Sequence, residues 1–194
     1  MYVRRPFTEI LLKYPVFWGI ILVNFLFYFL TVLPFYPDGY LFTKFAGVNL
    51  LIKEGEWWRL FTPILIHTNF NHLMFNSLTL FLLGMILAVR VKNLTFFLIY
   101  FSSGIFANGL TYLLAPLTYI HAGSSGAIFG IIGVLCALIF FKKFRQDEMK
   151  SLTIFIILAI VLTFLDQEIN IYAHIGGLVW GIILGAYIVR KWLI

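Results

Sequence analysis

The chain has 194 residues, of which 62% are hydrophobic and 11% charged, and its mean hydropathy is +0.98. Soluble domains carry about 25% charged residues, so this composition excludes a soluble globular protein and predicts an all-α polytopic membrane protein. The net charge of +6 is not a nucleic-acid signal, because the cations sit in short connections between apolar runs, and the single Cys136 excludes a disulfide framework within the chain.

About 20 apolar residues cross the hydrocarbon core, and six runs qualify. The first covers residues 16–33. It follows Arg4, Arg5 and Lys13 and is followed by Pro34-Phe35-Tyr36-Pro37 instead of a small-residue cleavage site, so a retained helix is expected, not a signal peptide. A long connection to about Phe70 then holds Gly47, Trp57-Trp58, Arg59 and alternating apolar residues. It is expected to lie partly in the interface, with the tryptophans at headgroup level. The remaining runs are 71–89, 94–114 (ended by Pro116), 125–141, the short 152–165, and 173–189 (ended by Arg190 and Lys191). Together they predict one six-helix membrane domain over residues 1–194, with no separate soluble domain.

Cations orient the spans. With both termini in the cytoplasm, eleven of the fourteen Lys and Arg residues are cytoplasmic, and only Lys44, Lys53 and Arg59 are external. Ser125, His174 and His72 then all lie near the starts of helices that run from outside to inside. They share one shallow depth near the external face, although the charge count does not require it.

Polar groups inside hydrocarbon are costly and mark function. In Gly123-Ser124-Ser125-Gly126 the glycines allow close backbone approach to a serine nucleophile. The pattern alone is weak, since Gly and Ser also pack membrane helices, and Ser102-Ser103-Gly104 is a decoy of that kind. His174 is a stronger signal, because histidine in a span points to catalysis, metal binding or proton transfer, with a structural contact as the alternative. Behind it Gly177, Gly181 and Gly185 form a stripe that faces a similar one at Gly126, Gly130 and Gly133, a way to bring Ser125 to His174. His72 and Asn76, four apart on one helix face, offer N–H donors for a developing oxyanion, or else a polar interhelical contact. His67 is a candidate supporting group, and His121 reads as a loop residue. A zinc set of His67, His72 and His174 is the rival, but no His-Glu-x-x-His is present and Asn76 stands where a second ligand is needed.

Taken in order, these residues resemble the rhomboid intramembrane serine proteases over nearly the whole chain. The resemblance rests on the six-span layout and the loop with Trp58-Arg59. It rests equally on His72-Leu73-Met74-Phe75-Asn76, Gly123-x-Ser125-Gly126, and Ala173-His174 followed by Gly177-x-x-x-Gly181. It implies a Ser125–His174 dyad without a third acid, and an oxyanion hole of His72, Asn76 and the Ser125 backbone N–H. Two departures stand out. Phe129 replaces an aromatic hydroxyl four residues after the nucleophile, where it can stack on His174 but not donate. Ala88 stands where some members carry a glutamate four residues after Gly84.

The expected function is therefore a serine endopeptidase, with no metal or cofactor. It would cleave transmembrane or membrane-anchored proteins near the external face of the bilayer, in a bacterial inner membrane. A glycine- or proline-containing substrate helix would unwind into a water-filled cavity. The fifth helix and the loop before the sixth would form the moving side of its entrance. Asp166 and Glu168 in that loop read as a solvated rim, or as groups orienting His174. Two other classes are weighed against this. One is an inactive relative that binds and escorts membrane proteins, disfavoured by the intact Ser125 and His174. The other is a small transporter, disfavoured by the lack of paired broken helices.

Overall fold

The computed structural model describes residues 7–33, 37, 39–163 and 169–192. A short α1 (Phe7–Lys13) leads into α2 (Pro15–Val32), which opens on Pro15, a residue whose fixed φ suits a first helical position. The second long helix runs from α5 (Phe70–Thr79) through a π-helical turn (Leu80–Gly84) into α6 (Met85–Ala88). Then come α7 (Asn93–Leu114), α8 (Ser125–Phe140), α9 (Gln146–Thr163) and α10 (Ile171–Trp192). The predicted spans recur within three residues at each end, except that α9 begins six residues earlier than its apolar run. Its first turn carries Asp147 and Glu148, which favour a helix N-terminus, and Glu148 accepts a hydrogen bond from the Arg145 backbone N–H at 3.1 Å.

Among the described residues four helices are long and apolar enough to cross a membrane: Pro15–Val32, Phe70–Ala88, Asn93–Leu114 and Ile171–Lys191. The other two long helices are weaker by that measure. Helix α8 has 16 residues, and α9 carries charge in its first turn. The shortness of α8 fits its place, because residues 126–135 are all buried between α7, α10 and the second long helix. A helix sheathed by others need not match the bilayer thickness.

Small residues set that packing. A Cβ built on Gly177 would collide with the Gly126 carbonyl oxygen, and one on Gly181 with the Gly130 carbonyl oxygen. On the other side of the contact, a Cβ on Gly133 would meet the Leu178 carbonyl oxygen, so α8 and α10 touch backbone to backbone. Ser103 of the sequence decoy is fully buried, its side chain filling the space beside Gly130, while Ser102 accepts a hydrogen bond from the Trp180 indole at 3.1 Å.

From residue 39 onward the connection between the first two long helices carries local structure. It folds as α3 (Tyr40–Phe45), β1 (Gly47–Val48), α4 (Asn49–Lys53) and two 3-10 turns, Trp57–Leu60 and Thr62–Leu65. Its apolar alternation yields only a two-residue strand, paired antiparallel with β2 (Ile120–His121). Arg59 ties the segment together from a buried position. It donates to the Thr43 and Ala46 carbonyls at 2.7 and 2.6 Å and pairs with Glu56 at 2.6 Å. Trp57 and Trp58 remain exposed.

Candidate active site

At one end of the bundle α5, α8, α9 and α10 enclose a cavity of about 50 Å³. Its walls include Ser125, His174, His72, Asn76 and Phe129, together with Asn170. The volume suffices for a few waters, since one water needs at least about 10–15 Å³.

Each side chain is placed by local structure. Helix α8 begins at Ser125, so Ser125 is half-buried at the mouth of the helix with its backbone N–H among those lacking an intrahelical acceptor. Gly123 precedes it with φ +121°, a conformation that favours glycine, and its N–H bonds the Pro63 carbonyl at 2.9 Å. The position is closed by sterics as well. A Cβ there would stand 2.7 and 2.8 Å from Cε1 and Nε2 of His72.

His72 rides on the first turn of α5, where the Asn69 side chain caps the helix by accepting from the His72 N–H at 2.9 Å. The Thr68 hydroxyl lies 3.0 Å from His72 Nδ1. One turn on, the Asn76 amide donates to the His72 carbonyl at 3.1 Å. In α10, the His174 ring lies parallel to that of Phe129, at 3° with centroids 4.2 Å apart. Asn170 caps α10 by accepting from the Ala173 N–H at 3.1 Å and is itself held by Thr111.

The remaining polar residues separate by direction. Ser124 is fully buried and turned from the cavity. It lies 3.3 Å from His67 Nε2 and beside the hydroxyl of Tyr100, which accepts from Asn24. His67 packs edge-on against His72, with ring centroids 5.2 Å apart. Burial, and then the neighbouring His72, hold its pKa down at about 3. His121 is buried beneath Gly47, with both ring nitrogens lacking a hydrogen-bond partner among the described residues, and burial lowers its pKa to about 4. Among the described residues no three His, Cys, Asp or Glu side chains gather as a metal-ligating group. Asp166 and Glu168 lie outside the described residues.

A model described as the rhomboid domain matches residues 54–191. The chain belongs to the rhomboid family. It is 40% identical over 148 residues to the rhomboid-family protein YdcA of Bacillus subtilis (strain 168), covering 75% of this chain and 74% of that one. It is 38% identical over 143 residues to the rhomboid protease GluP of the same organism, covering 73% of this chain and 28% of GluP. With rhomboid-like protease 1 of Toxoplasma gondii it shares 32% identity over 179 residues, 86% of this chain and 61% of that one. The matched stretch thus spans most of YdcA, but about a quarter of GluP and three fifths of the Toxoplasma protein. This rhomboid is an integral membrane protein.

Three residues around the cavity escape a reading of the sequence: Thr68, Asn69 and Asn170. A signal exists for two of them, since an asparagine directly before an apolar helix is a capping pattern. Thr68 acts through a side-chain contact that spacing does not encode.

Proposed function

We propose that this rhomboid is an intramembrane serine endopeptidase, with Ser125 as nucleophile and His174 as general base and then general acid. The observation that carries the reading is that Ser125, His174, His72 and Asn76, drawn from three helices, line one small cavity. The Ser125 hydroxyl gives its proton to the His174 imidazole as its oxygen attacks the scissile carbonyl. The resulting imidazolium returns that proton to the leaving amine, and the acyl-enzyme is hydrolysed by a water activated in the same way. Phe129 fixes the plane of the His174 ring by stacking, the orienting role that an acid fills elsewhere.

The developing oxyanion meets the Ser125 backbone N–H, His72 and Asn76. The hydrogen bonds support His72 as a donor. The Asn69 amide donates to the Thr68 oxygen at 3.3 Å, which leaves the Thr68 hydroxyl hydrogen free to donate to His72 Nδ1; in that arrangement the ring proton sits on Nε2. That Cε1–Nε2 edge faces Gly123. Asn76 turns from the His72 carbonyl to reach the oxyanion.

Substrates are transmembrane or membrane-anchored proteins, as the family and the bilayer setting support. Such a helix hides its carbonyls in its own hydrogen bonds, so the substrate must unwind near the cavity. The distribution of cations supports cytoplasmic termini, an external cavity and a bacterial inner membrane. The test is cleavage of a membrane-anchored reporter by the purified protein in liposomes, with EDTA in a parallel sample. Cleavage by wild type, unaffected by EDTA and abolished in Ser125→Ala and His174→Ala, is expected. Reporter binding without cleavage by wild type would instead identify an escort protein, and zinc-restored activity a metal site.

A further inference from the structure

The far end of the bundle carries a second concavity that proteolysis does not use. It is a groove of about 680 Å³ between the start of α7 and the end of α10, within the range of ligand clefts, about 300–1,000 Å³. Counting along α10, Lys191 is 17 residues from His174, roughly 25 Å at 1.5 Å per residue. The groove is therefore remote from the cavity and opens at the opposite membrane face.

Its chemistry is divided. At the mouth stand Arg90, Lys92 and Lys191, and among the described residues no carboxylate lines the groove. Arg90 is already engaged. It donates to the Ile86 carbonyl at 2.8 Å, lies 3.8 Å from Glu148 and covers the Phe144 ring at 4.4 Å. Lys92 and Lys191 are exposed, and Lys191 sits 5.3 Å from the Tyr187 ring centroid, its ammonium held at the rim. Below them the walls turn apolar, with Leu98 on α7 and Leu184 and Ile188 on α10, down to Ser102. From Lys92 to Ser102 is ten residues, roughly 15 Å, about half of a ~30 Å hydrocarbon core. The groove therefore has the depth of one leaflet, cationic at the headgroup level and apolar beneath.

We propose that this groove binds one anionic phospholipid, with the phosphate between Lys92 and Lys191 and an acyl chain against Leu98, Leu184 and Ile188. Charge complementarity at the rim selects the anionic headgroup. The apolar depth selects a lipid over a free phosphate. This inference does not depend on the proteolytic reading.

Native mass spectrometry of the full chain tests it, with phosphatidylglycerol and phosphatidylcholine of matched chains present in equal amounts. Wild type is expected to retain one phosphatidylglycerol in preference. Each basic residue near a membrane surface contributes attraction equivalent to about 5-fold in affinity, so Lys92→Gln with Lys191→Gln should cut the preference about 25-fold. The control Lys142→Gln with Lys143→Gln removes the same charge outside the groove and should leave binding unchanged. Leu184→Trp fills the apolar floor and should expel the lipid with both lysines in place. The proposal is overturned by equal retention of the two lipids, by an equal loss in the Lys142/Lys143 control, by lipid retention in Leu184→Trp, or by displacement with glycerol phosphate at matched concentration.

Discussion

At the residue scale, the two adjacent serines give the sharpest contrast. Ser125 faces the cavity, whereas Ser124 faces His67 and Tyr100 in the core. Ser125→Ala should abolish cleavage with little change in stability. Ser124→Ala should retain most activity but lose about 1–3 kcal/mol of stability, because buried partners go unsatisfied. Activity and thermal denaturation of both variants decide this, and the reverse pattern would exchange their roles. Ser125 and His174 stand out in the sequence because polar side chains in apolar runs are conspicuous, whereas Phe129 is singled out only by the family resemblance. Which way Ser124 turns was legible only as a 100° rotation per residue. Its partners His67 and Tyr100 come from distant parts of the chain, and spacing carries no information about them.

His121 makes a second prediction at this scale. Burial lowers its folded pKa to about 4, against about 6.5 in an unfolded chain. On acidification the unfolded chain therefore takes up the proton first, and stability present above pH 6.5 is lost between pH 6.5 and about 4. Since neither ring nitrogen has a described partner, His121→Phe forfeits no hydrogen bond. The variant should show a smaller fall in Tm between pH 7 and 4.5 than wild type. His67 contributes in the same sense down to about 3, so part of the slope should persist. An unchanged slope in His121→Phe would remove His121 as a source of acid lability.

At the element scale, the α8–α10 contact sets the distance between the proposed catalytic pair. Gly181→Val places side-chain atoms where the Gly130 carbonyl stands, and backbone cannot rotate aside as a flexible side chain can. Separation of the helices by about 1 Å can cost on the order of 100-fold in rate. Loss of activity and a lowered Tm are expected although residue 181 lies two turns from His174. Gly19→Ala is the counterpart. Nothing lies within 4 Å of a Cβ built there, so it should be neutral or stabilising by up to about 1 kcal/mol from helix propensity. A stable and active Gly181→Val would refute this packing account. The glycine periodicity made the contact readable from the sequence. The π turn at Leu80–Gly84 was not readable, because apolar runs report burial in lipid and say little about local hydrogen bonding; the early start of α9 is carried by Asp147 and Glu148, not by the apolar run.

At the scale of the whole molecule, two claims are tested separately. The proposed orientation rests on the charge bias. In a Cys136→Ala background, a cysteine at Lys44 should react with an impermeant maleimide on intact cells, and one at Lys142 only after permeabilisation. Labelling in the opposite order would invert the topology. Catalysis is tested most directly by a fluorophosphonate probe on the purified protein, with the modified residue located by mass spectrometry. One adduct is expected, on Ser125, absent in Ser125→Ala and strongly slowed in His174→Ala. No adduct on wild type, or an adduct on another serine that survives Ser125→Ala, would contradict it.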